Sequence, residues 1–291
     1  MNTSHEIVFV GMSKNCLNNS KKNLEFLKNY KSISKHNIKI CVIESDSTDG
    51  SKEYFSNLKQ SNGLDFLKEI DNLENTEKSR ISRLAICRNE ALKYIKTHYK
   101  KDLIYIPMDF DIDLFKLTKP EDFNLLINYF VNQSHIDCMF PFSLPFYYDI
   151  FALRSKNWVE KNNIYKSKLL KERFKIGSVF FNYFLVFRKQ LSINSFNKSL
   201  IPVESAFGGM GMYKINQDLI KKIKYRTSKK CVSFVSEHVF FNKYFENLFI
   251  YKNWQIEAPY EYIFWNTLNF RNKLLFIFKS LKHDFNQILS K

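Results

Sequence analysis

The stretch Asp102-Leu-Ile-Tyr-Ile-Pro-Met-Asp-Phe-Asp-Ile-Asp113 decides how the rest of the chain is read. Leu103 to Met108 is an apolar run with the length and β-branched content of a buried strand, and it stops abruptly at Asp109, Asp111 and Asp113. Carboxylates this close repel one another unless a cation neutralises them. Hard oxygen donors of this kind suit Mg²⁺ or Mn²⁺ carrying a substrate phosphate. An acid at the C-terminal end of a strand also stands where open α/β sheets bind ligands. An isolated Asp-x-Asp is more often a solvated turn, so the assignment depends on what the rest of the chain adds.

Upstream, Ile7 to Met12 is predicted as a buried strand, followed by a polar loop over Ser13 to Lys22, a helix through Phe26, Leu27 and Tyr30, and a second strand over Ile38 to Ile43. Strand, helix, strand at this spacing predicts a parallel βαβ unit. Glu44-Ser-Asp-Ser-Thr-Asp-Gly-Ser51 then leads into a helix over Lys52 to Gln60. Capping explains Asp49 and Ser51. It does not explain Glu44 and Asp46, which leave the sheet on the same edge as the aspartates. Residues 61 to 79 form a loop with a short strand near Leu67 to Ile70. The helix from Ile81 to His98 follows, with an apolar stripe at Ile81, Leu84, Ala91 and Ile95. Arg88 falls on that stripe and must find a partner, because a buried unpaired charge is costly. An internal salt bridge satisfies it. So does a positive edge, shared with Arg80 and Arg83, that faces a phosphate or the site carboxylates.

Downstream, the sequence predicts a helix over Pro120 to Val131 and strands over Asp137 to Phe142 and Pro145 to Arg154, the last carrying the single acid Asp149 toward a cleft. Residues 155 to 175 are expected to be a mobile surface excursion. Three of the seven glycines fall in Pro202 to Tyr213, which implies special backbone angles or a close approach to ligand. No Gly-Lys-Ser/Thr follows, so this is not a P-loop. Ser236-Glu-His comes after the apolar Val232 to Val235, and His238 is chemically suited to be a third Mn²⁺ ligand. From Phe270 to Lys291, Leu274, Phe278, Leu281, Phe285 and Ile288 recur at helical spacing among Lys and Arg. Such a basic amphipathic helix lies on an anionic membrane surface or packs on the body of the protein, and it is not expected to take part in catalysis.

With 291 residues, 29 Phe, 16 Tyr and few glycines and prolines, the chain has ample material for a core. A formal charge of +16 favours anionic partners. Cys16, Cys41, Cys87, Cys138 and Cys231 are scattered, odd in number and without a Cys-x-x-Cys pair, which argues against a disulfide framework and for a reducing compartment. The N-terminus lacks a basic n-region, and no uncharged apolar run is long enough to cross a membrane. A cytoplasmic protein, peripheral at the inner face of the cell membrane through its last helix, is therefore expected.

The ordered segments resemble the metal-dependent GT-A glycosyltransferases, in particular the fungal capsule mannosyltransferase-like proteins and their bacterial relatives. The resemblance rests on Glu44-Ser-Asp-Ser-Thr-Asp-Gly-Ser, Arg83-Leu-Ala-Ile-Cys-Arg-Asn-Glu-Ala, Asp109-Phe-Asp111, Tyr147-Tyr-Asp-Ile-Phe-Ala-Leu-Arg154, Glu204-Ser-Ala-Phe-Gly-Gly and Ser236-Glu-His-Val. It implies an α/β GT-A fold, a Rossmann-like mixed sheet flanked by helices. Residues 1–250 would form the domain, with a nucleotide-sugar half over about 1–135, an acceptor half over about 136–250, and a helical tail over 251–291. It further implies transfer of a sugar from a nucleotide-diphosphate donor to a hydroxyl of a glycan or glycolipid acceptor of the lipopolysaccharide or capsule type. By the resemblance, Glu44, Asp46, Arg83, Arg88, Asn89 and Asp109 would hold the nucleotide, while Asp109, Asp111 and His238 would hold Mn²⁺ or Mg²⁺. Asp149 or Glu237 would orient or deprotonate the acceptor, and the loop from Glu204 would shape its site.

Two other chemistries compete. A nucleotidyltransferase also gathers aspartates around Mg²⁺, but Gly11-Met-Ser-Lys-Asn lacks the glycine- and arginine-rich loop that cradles a triphosphate. A basic nucleic-acid-binding protein would show a zinc-finger spacing, an RNA-recognition signature or an aromatic-basic stripe, and none is present, so nucleic acid is not an expected partner.

Overall fold

A computed structural model describes residues 4–174, 177–228 and 234–289. The chain begins with β1 (Glu6–Ser13), α1 (Leu17–Ile33), β2 (Asn37–Ser45), α2 (Ser51–Gln60) and β3 (Phe66–Ile70). It continues through α3 (Leu73–Thr76), α4 (Arg80–His98), β4 (Leu103–Asp109), α5 (Pro120–Asn132) and β5 (Cys138–Leu144). The remainder holds α6 (Asn163–Phe174), α7 (Ser178–Leu185), β6 (Leu200–Val203), β7 (Met212–Ile215), α8 (Gln217–Lys222), α9 (Glu237–Phe241), β8 (Leu248–Glu257), α10 (Tyr260–Thr267) and α11 (Phe270–Leu289).

The strands form one eight-stranded sheet in the order β3-β2-β1-β4-β7-β5-β8-β6. β1 to β4 run parallel, and β7 enters antiparallel between β4 and β5. Alternate residues of β1 go to opposite faces, as the pleat requires: Ile7 and Phe9 pack with Leu27, Phe55 and Phe123, whereas Val8 and Val10 pack with Ala91, Leu92 and Ile95. Both faces are therefore covered by helices, which is why the parallel strands are continuously apolar. The parallel register sets Met12 beside Asp109 and Ser13 beside Glu44, so both acids reach the same edge of the sheet.

Several segments depart from the sequence reading. α1 starts at Leu17, inside the expected loop, because Asp49 Oδ2 accepts the Leu17 N–H at 2.9 Å while Oδ1 accepts that of Ser51 at 3.1 Å. One aspartate thus caps two helices. Residues 145 to 154 do not form a strand. Ser143 Oγ bonds Phe146 O and the Tyr148 N–H, and Asp149 Oδ1 takes the Ala152 N–H, so side chains replace the ladder. The expected excursion over 155 to 175 contains α6. Cys16, Cys41, Cys87 and Cys138 are free thiols, while Cys231 and the start of the apolar run at Val232 lie outside the described residues.

Gly11 in β1 is required by packing. A Cβ there would stand 2.2 Å from the ring of Phe110, which is fully buried. Because Phe110 lies between Asp109 and Asp111, its anchorage over Gly11 fixes where both carboxylates point. Gly11→Ala is expected to cost about 3 kcal/mol, at the upper end of overpacking penalties, measured as a lowered midpoint in urea unfolding. An unchanged midpoint would mean that the ring can move aside and that the turn is not held this way.

Candidate active site

Asp109 ends β4, and the turn beyond it is held from three directions. The Asp109 N–H donates to Gly209 O at 2.8 Å, and the Phe110 N–H donates to Met12 O at 2.9 Å. From α1, Asn19 Nδ2 donates to Asp111 O at 2.7 Å and Asn23 Nδ2 to Ile112 O at 2.8 Å. Gly209 has φ +82°, and a Cβ there would meet Ile112, Leu114 and the Tyr148 hydroxyl at 3.1 Å. The glycine cluster therefore serves the close packing of its own loop on the aspartate turn. Asp113 points elsewhere and pairs with Lys22 at 3.0 Å.

Arg88 organises the charge beneath this turn. It is 1% exposed, and its Nη2 donates to Asp109 Oδ1 at 2.6 Å while Nε donates to Glu237 Oε1 at 2.9 Å. The guanidinium also lies over the rings of Phe207 and Tyr225, 4.9 and 5.6 Å from their centroids. Burial pushes the Glu237 carboxyl up, against the opposing pull of Arg88. His238, stacked on Phe207 with centroids 3.6 Å apart, is held well below its ordinary value by burial and by Arg88, and is therefore neutral. Arg88 Nη1 and both His238 ring nitrogens are buried without a hydrogen-bond partner on the chain. Asp111 is reachable from the cleft. Its withdrawal from bulk water between the walls, together with the Asp109 charge, pushes its carboxyl up to about 6, with Arg80 opposing.

Two hollows meet at the aspartates. One, of about 320 Å³, lies over the ends of β1, β2 and β4 and is lined by Ser13, Lys14, Ser45, Glu74 and Arg83. The other, of about 480 Å³, is lined by Tyr148, Gln190, Phe207, His238, Glu261 and Tyr262. Arg80, Leu84, Asp109 and Asp111 line both.

The structure divides the residues expected from sequence. Arg83, Arg88, Asp109, Asp111, Asp149, Glu237 and His238 all line one hollow or the other. Asp46 lines neither hollow, and its Oδ2 accepts the Glu74 N–H at 2.8 Å. Glu44 is fully buried, takes the Ser47 N–H at 2.7 Å and lines neither hollow, so it shapes the loop from below. Asn89 is turned away, with both amide atoms engaged by the Tyr225 backbone at 3.0 and 2.8 Å. Glu204 is exposed and lines neither hollow. Asp149 lines the cleft, but its oxygens accept the Ala152 and Gly208 N–H groups at 3.1 and 2.8 Å, so it ties the glycine loop to residues 145 to 154. Glu237 is committed to Arg88. Nor do Asp109, Asp111 and His238 converge as a cage: among the described residues no three His, Cys, Asp or Glu side chains are placed to hold an ion. The Arg88 guanidinium is bonded to both Asp109 and Glu237. The sequence reading missed Tyr148, Gln190, Glu261 and Tyr262. The last two belong to α10, within the helical tail expected over 251–291.

A mixed sheet flanked by helices, with paired aspartates closing a central parallel strand beside two adjoining hollows, is the α/β architecture of the GT-A class. The chain belongs to the family described as Cryptococcal mannosyltransferase 1, whose sequence profile matches residues 11–243. It is an enzyme, a glycosyltransferase. Comparison with curated protein sequences finds no match. Among solved structures, S. aureus TarS residues 1–349 in complex with UDP is 12% identical, with 97% of this chain and 72% of that chain covered and a TM-score of 0.45. Mannosyl-3-phosphoglycerate synthase from Rubrobacter xylanophilus is 10% identical, with 98% and 74% covered and a TM-score of 0.41. Mannosyltransferase PcManGT from Pyrobaculum calidifontis, in complex with GDP-Man and Mn²⁺, is 14% identical over 50% of this chain and 37% of that one, with a TM-score of 0.36.

Proposed function

We propose that the chain moves a hexosyl group from a nucleoside-diphosphate sugar to a hydroxyl of a surface glycan or glycolipid acceptor, with Mn²⁺ or Mg²⁺ held at Asp111. The observation that carries this reading is the pair of hollows meeting at Asp109 and Asp111. The smaller one lies at the strand ends where a nucleotide would sit, with Lys14, Arg80 and Arg83 at its wall, Lys14 and Arg83 both paired with Glu74. The larger one, with Tyr148 and Tyr262 stacked at 5.4 Å, has the aromatic surface that pyranose rings pack on. The aspartates fit a divalent cation. Such ions bind through one or two carboxylates and complete their shell with substrate phosphates and water, and the mutual repulsion seen at Asp111 is the charge a cation would relieve. When bound, the ion offsets the negative charge that grows on the departing diphosphate. The chain's own part is to orient. Arg88 holds Asp109 in place and keeps one unpartnered N–H for a sugar or phosphate oxygen, while Arg80 stands between the two hollows. In the transfer the acceptor oxygen bonds to the anomeric carbon, the bond from that carbon to the diphosphate oxygen breaks, the nucleoside diphosphate leaves with the electron pair, and the acceptor hydroxyl proton passes to the departing diphosphate or to water.

Thermal unfolding with UDP, GDP, CDP and CMP, each with and without Mn²⁺, tests the reading. One nucleotide is expected to raise Tm by several degrees, only with the metal, as ligand linkage requires. Release of nucleoside diphosphate from the matching nucleotide sugar then distinguishes sugar transfer from nucleotidyl transfer, which releases pyrophosphate. A Tm unmoved by every nucleotide would remove the basis of the proposal.

A further inference from the structure

The described residues contain no helix long and apolar enough to cross a membrane, yet one side of the molecule exposes an unusual amount of aromatic surface. On α7, Phe180, Tyr183 and Phe184 are 43%, 36% and 53% exposed, and they share a helix face at spacings of three and four. On α11, Phe270, Leu274, Phe278 and Phe285 fall on one stripe and are 77%, 40%, 66% and 57% exposed. Leu274, Phe278 and Phe285 belong to the apolar stripe evident in the sequence and are exposed, while Leu281 of that stripe is partly covered and the helix presents another face inward, on which Asp284 is buried. Ring contacts join the two helices. Phe184 meets Tyr183 at 5.0 Å, Tyr183 meets Trp265 of α10 at 6.0 Å, and Trp265 meets Phe276 of α11 at 5.7 Å. Those contacts run through buried Trp265 and through Phe276, on the side of α11 away from the stripe. The head of α7 meets α11 beside the stripe, where the Gly177 N–H donates to Asp284, so the two helices adjoin there. Each exposes more apolar surface than the scattered single residues of an ordinary surface.

The charges around this surface are mostly basic; the acids on these elements are Glu172, Asp284 and Glu261, the last lining the cleft. Lys171, Arg173, Arg188, Arg271, Lys279 and Lys282 are exposed on the same elements or beside them, and Arg271 and Lys282 border the α11 stripe. The acids of α6 and α11 are already engaged, Glu172 with Lys168 at 3.3 Å and Asp284 with the Gly177 N–H at 3.1 Å. Aromatic anchors within a cationic rim match an anionic bilayer surface, where rings enter the headgroup boundary and each Lys or Arg adds about 1 kcal/mol. The surface also adjoins the cleft. Phe187, which lines the larger hollow, stacks on Trp265 at 5.6 Å.

We infer that α7 and α11, joined through α10, form a docking face for an anionic lipid bilayer, with the larger hollow opening beside it. The face stands on its own observations and does not require the sugar-transfer reading. The test is cosedimentation of the full chain with phosphatidylcholine vesicles, with and without phosphatidylglycerol. Binding is expected only with the anionic lipid, weakening as salt rises. Phe278→Glu, Phe184→Glu and Lys282→Glu are each expected to lower the affinity about tenfold, and their unchanged Tm would show that the fold is intact. Equal binding to neutral vesicles, or variants that bind like the parent, would overturn the proposal. So would a dimer in light scattering that Phe278→Glu dissociates, combined with no vesicle binding, since a second copy would then be the occupant. Loss of vesicle binding alongside an intact metal-dependent nucleotide shift would sink this inference and leave the active-site reading standing.

Discussion

Replacing Asp111 by Asn is expected to lower kcat by roughly a thousandfold while making the metal-free protein more stable. The two effects share a cause. Asp111 and Asp109 end one strand turn with their charges unrelieved apart from Arg88 and Arg80, and the Asp111 carboxyl is pushed up to about 6 by its enclosure and by Asp109. Asn keeps the shape and removes the charge, so the repulsion disappears, but Asp111 is exposed and solvent screens much of it, so Tm is expected to rise only slightly. The same charge is what a divalent cation would bind. A Lewis acid at a leaving diphosphate contributes several kcal/mol, and each 1.36 kcal/mol is a factor of ten in rate. Opposite signs for activity and stability are the mark of a residue kept for function. The measurements are nucleoside-diphosphate release and thermal unfolding in EDTA. If Asn retains activity within tenfold, the ion is held elsewhere or is not used. If activity falls but Tm falls too, the variant has damaged the turn and says nothing about the metal.

The parts of this site that were legible in the sequence are those whose cause is local. An apolar run interrupted by Asp109 and Asp111 identifies a strand end, because burial of a parallel strand on both faces leaves no other place for acids. Arg88 was legible for a related reason: a guanidinium on a core-facing stripe must have a partner, although the sequence does not say which. Asp109 and Glu237 proved to be the partners, and Glu237 is 149 residues away. Asp49 capping α1, Asp149 clamping Gly208, and Tyr262 reaching the cleft from α10 are likewise contacts between distant segments, and no periodicity encodes them. The miss at α6 is different. Ser167-Lys-Leu-Leu-Lys-Glu-Arg173 is made almost wholly of strong helix formers, and Lys168 pairs with Glu172 one turn on. There, lysine and asparagine content suggests looseness, whereas residue propensity points to a helix.

Arg88→Met is expected to be the most destabilising single change in the site, costing about 3–5 kcal/mol. The side chain is almost completely buried and is the largest polar group in the interior beneath the cleft. Methionine fills similar space, so lost packing contributes little. The cost comes from what remains: Asp109 loses a 2.6 Å hydrogen bond, and Glu237, itself 3% exposed, becomes a buried carboxylate with no cation. Arg88→Lys is expected to recover only part of the loss, because one ammonium cannot span two carboxylates and lie between Phe207 and Tyr225 as the planar guanidinium does. The decisive comparison is with Arg88→Met combined with Glu237→Gln. If the penalty is mainly the stranded Glu237 charge, neutralising that partner should return more than half of the stability, a coupling that a double-mutant cycle in urea reads directly. Activity should stay low in the double variant, since Asp109 would still lack the group that orients it. Additive losses, with no recovery from Glu237→Gln, would show that Arg88 acts through packing and that the buried charge network does not govern the stability of this site.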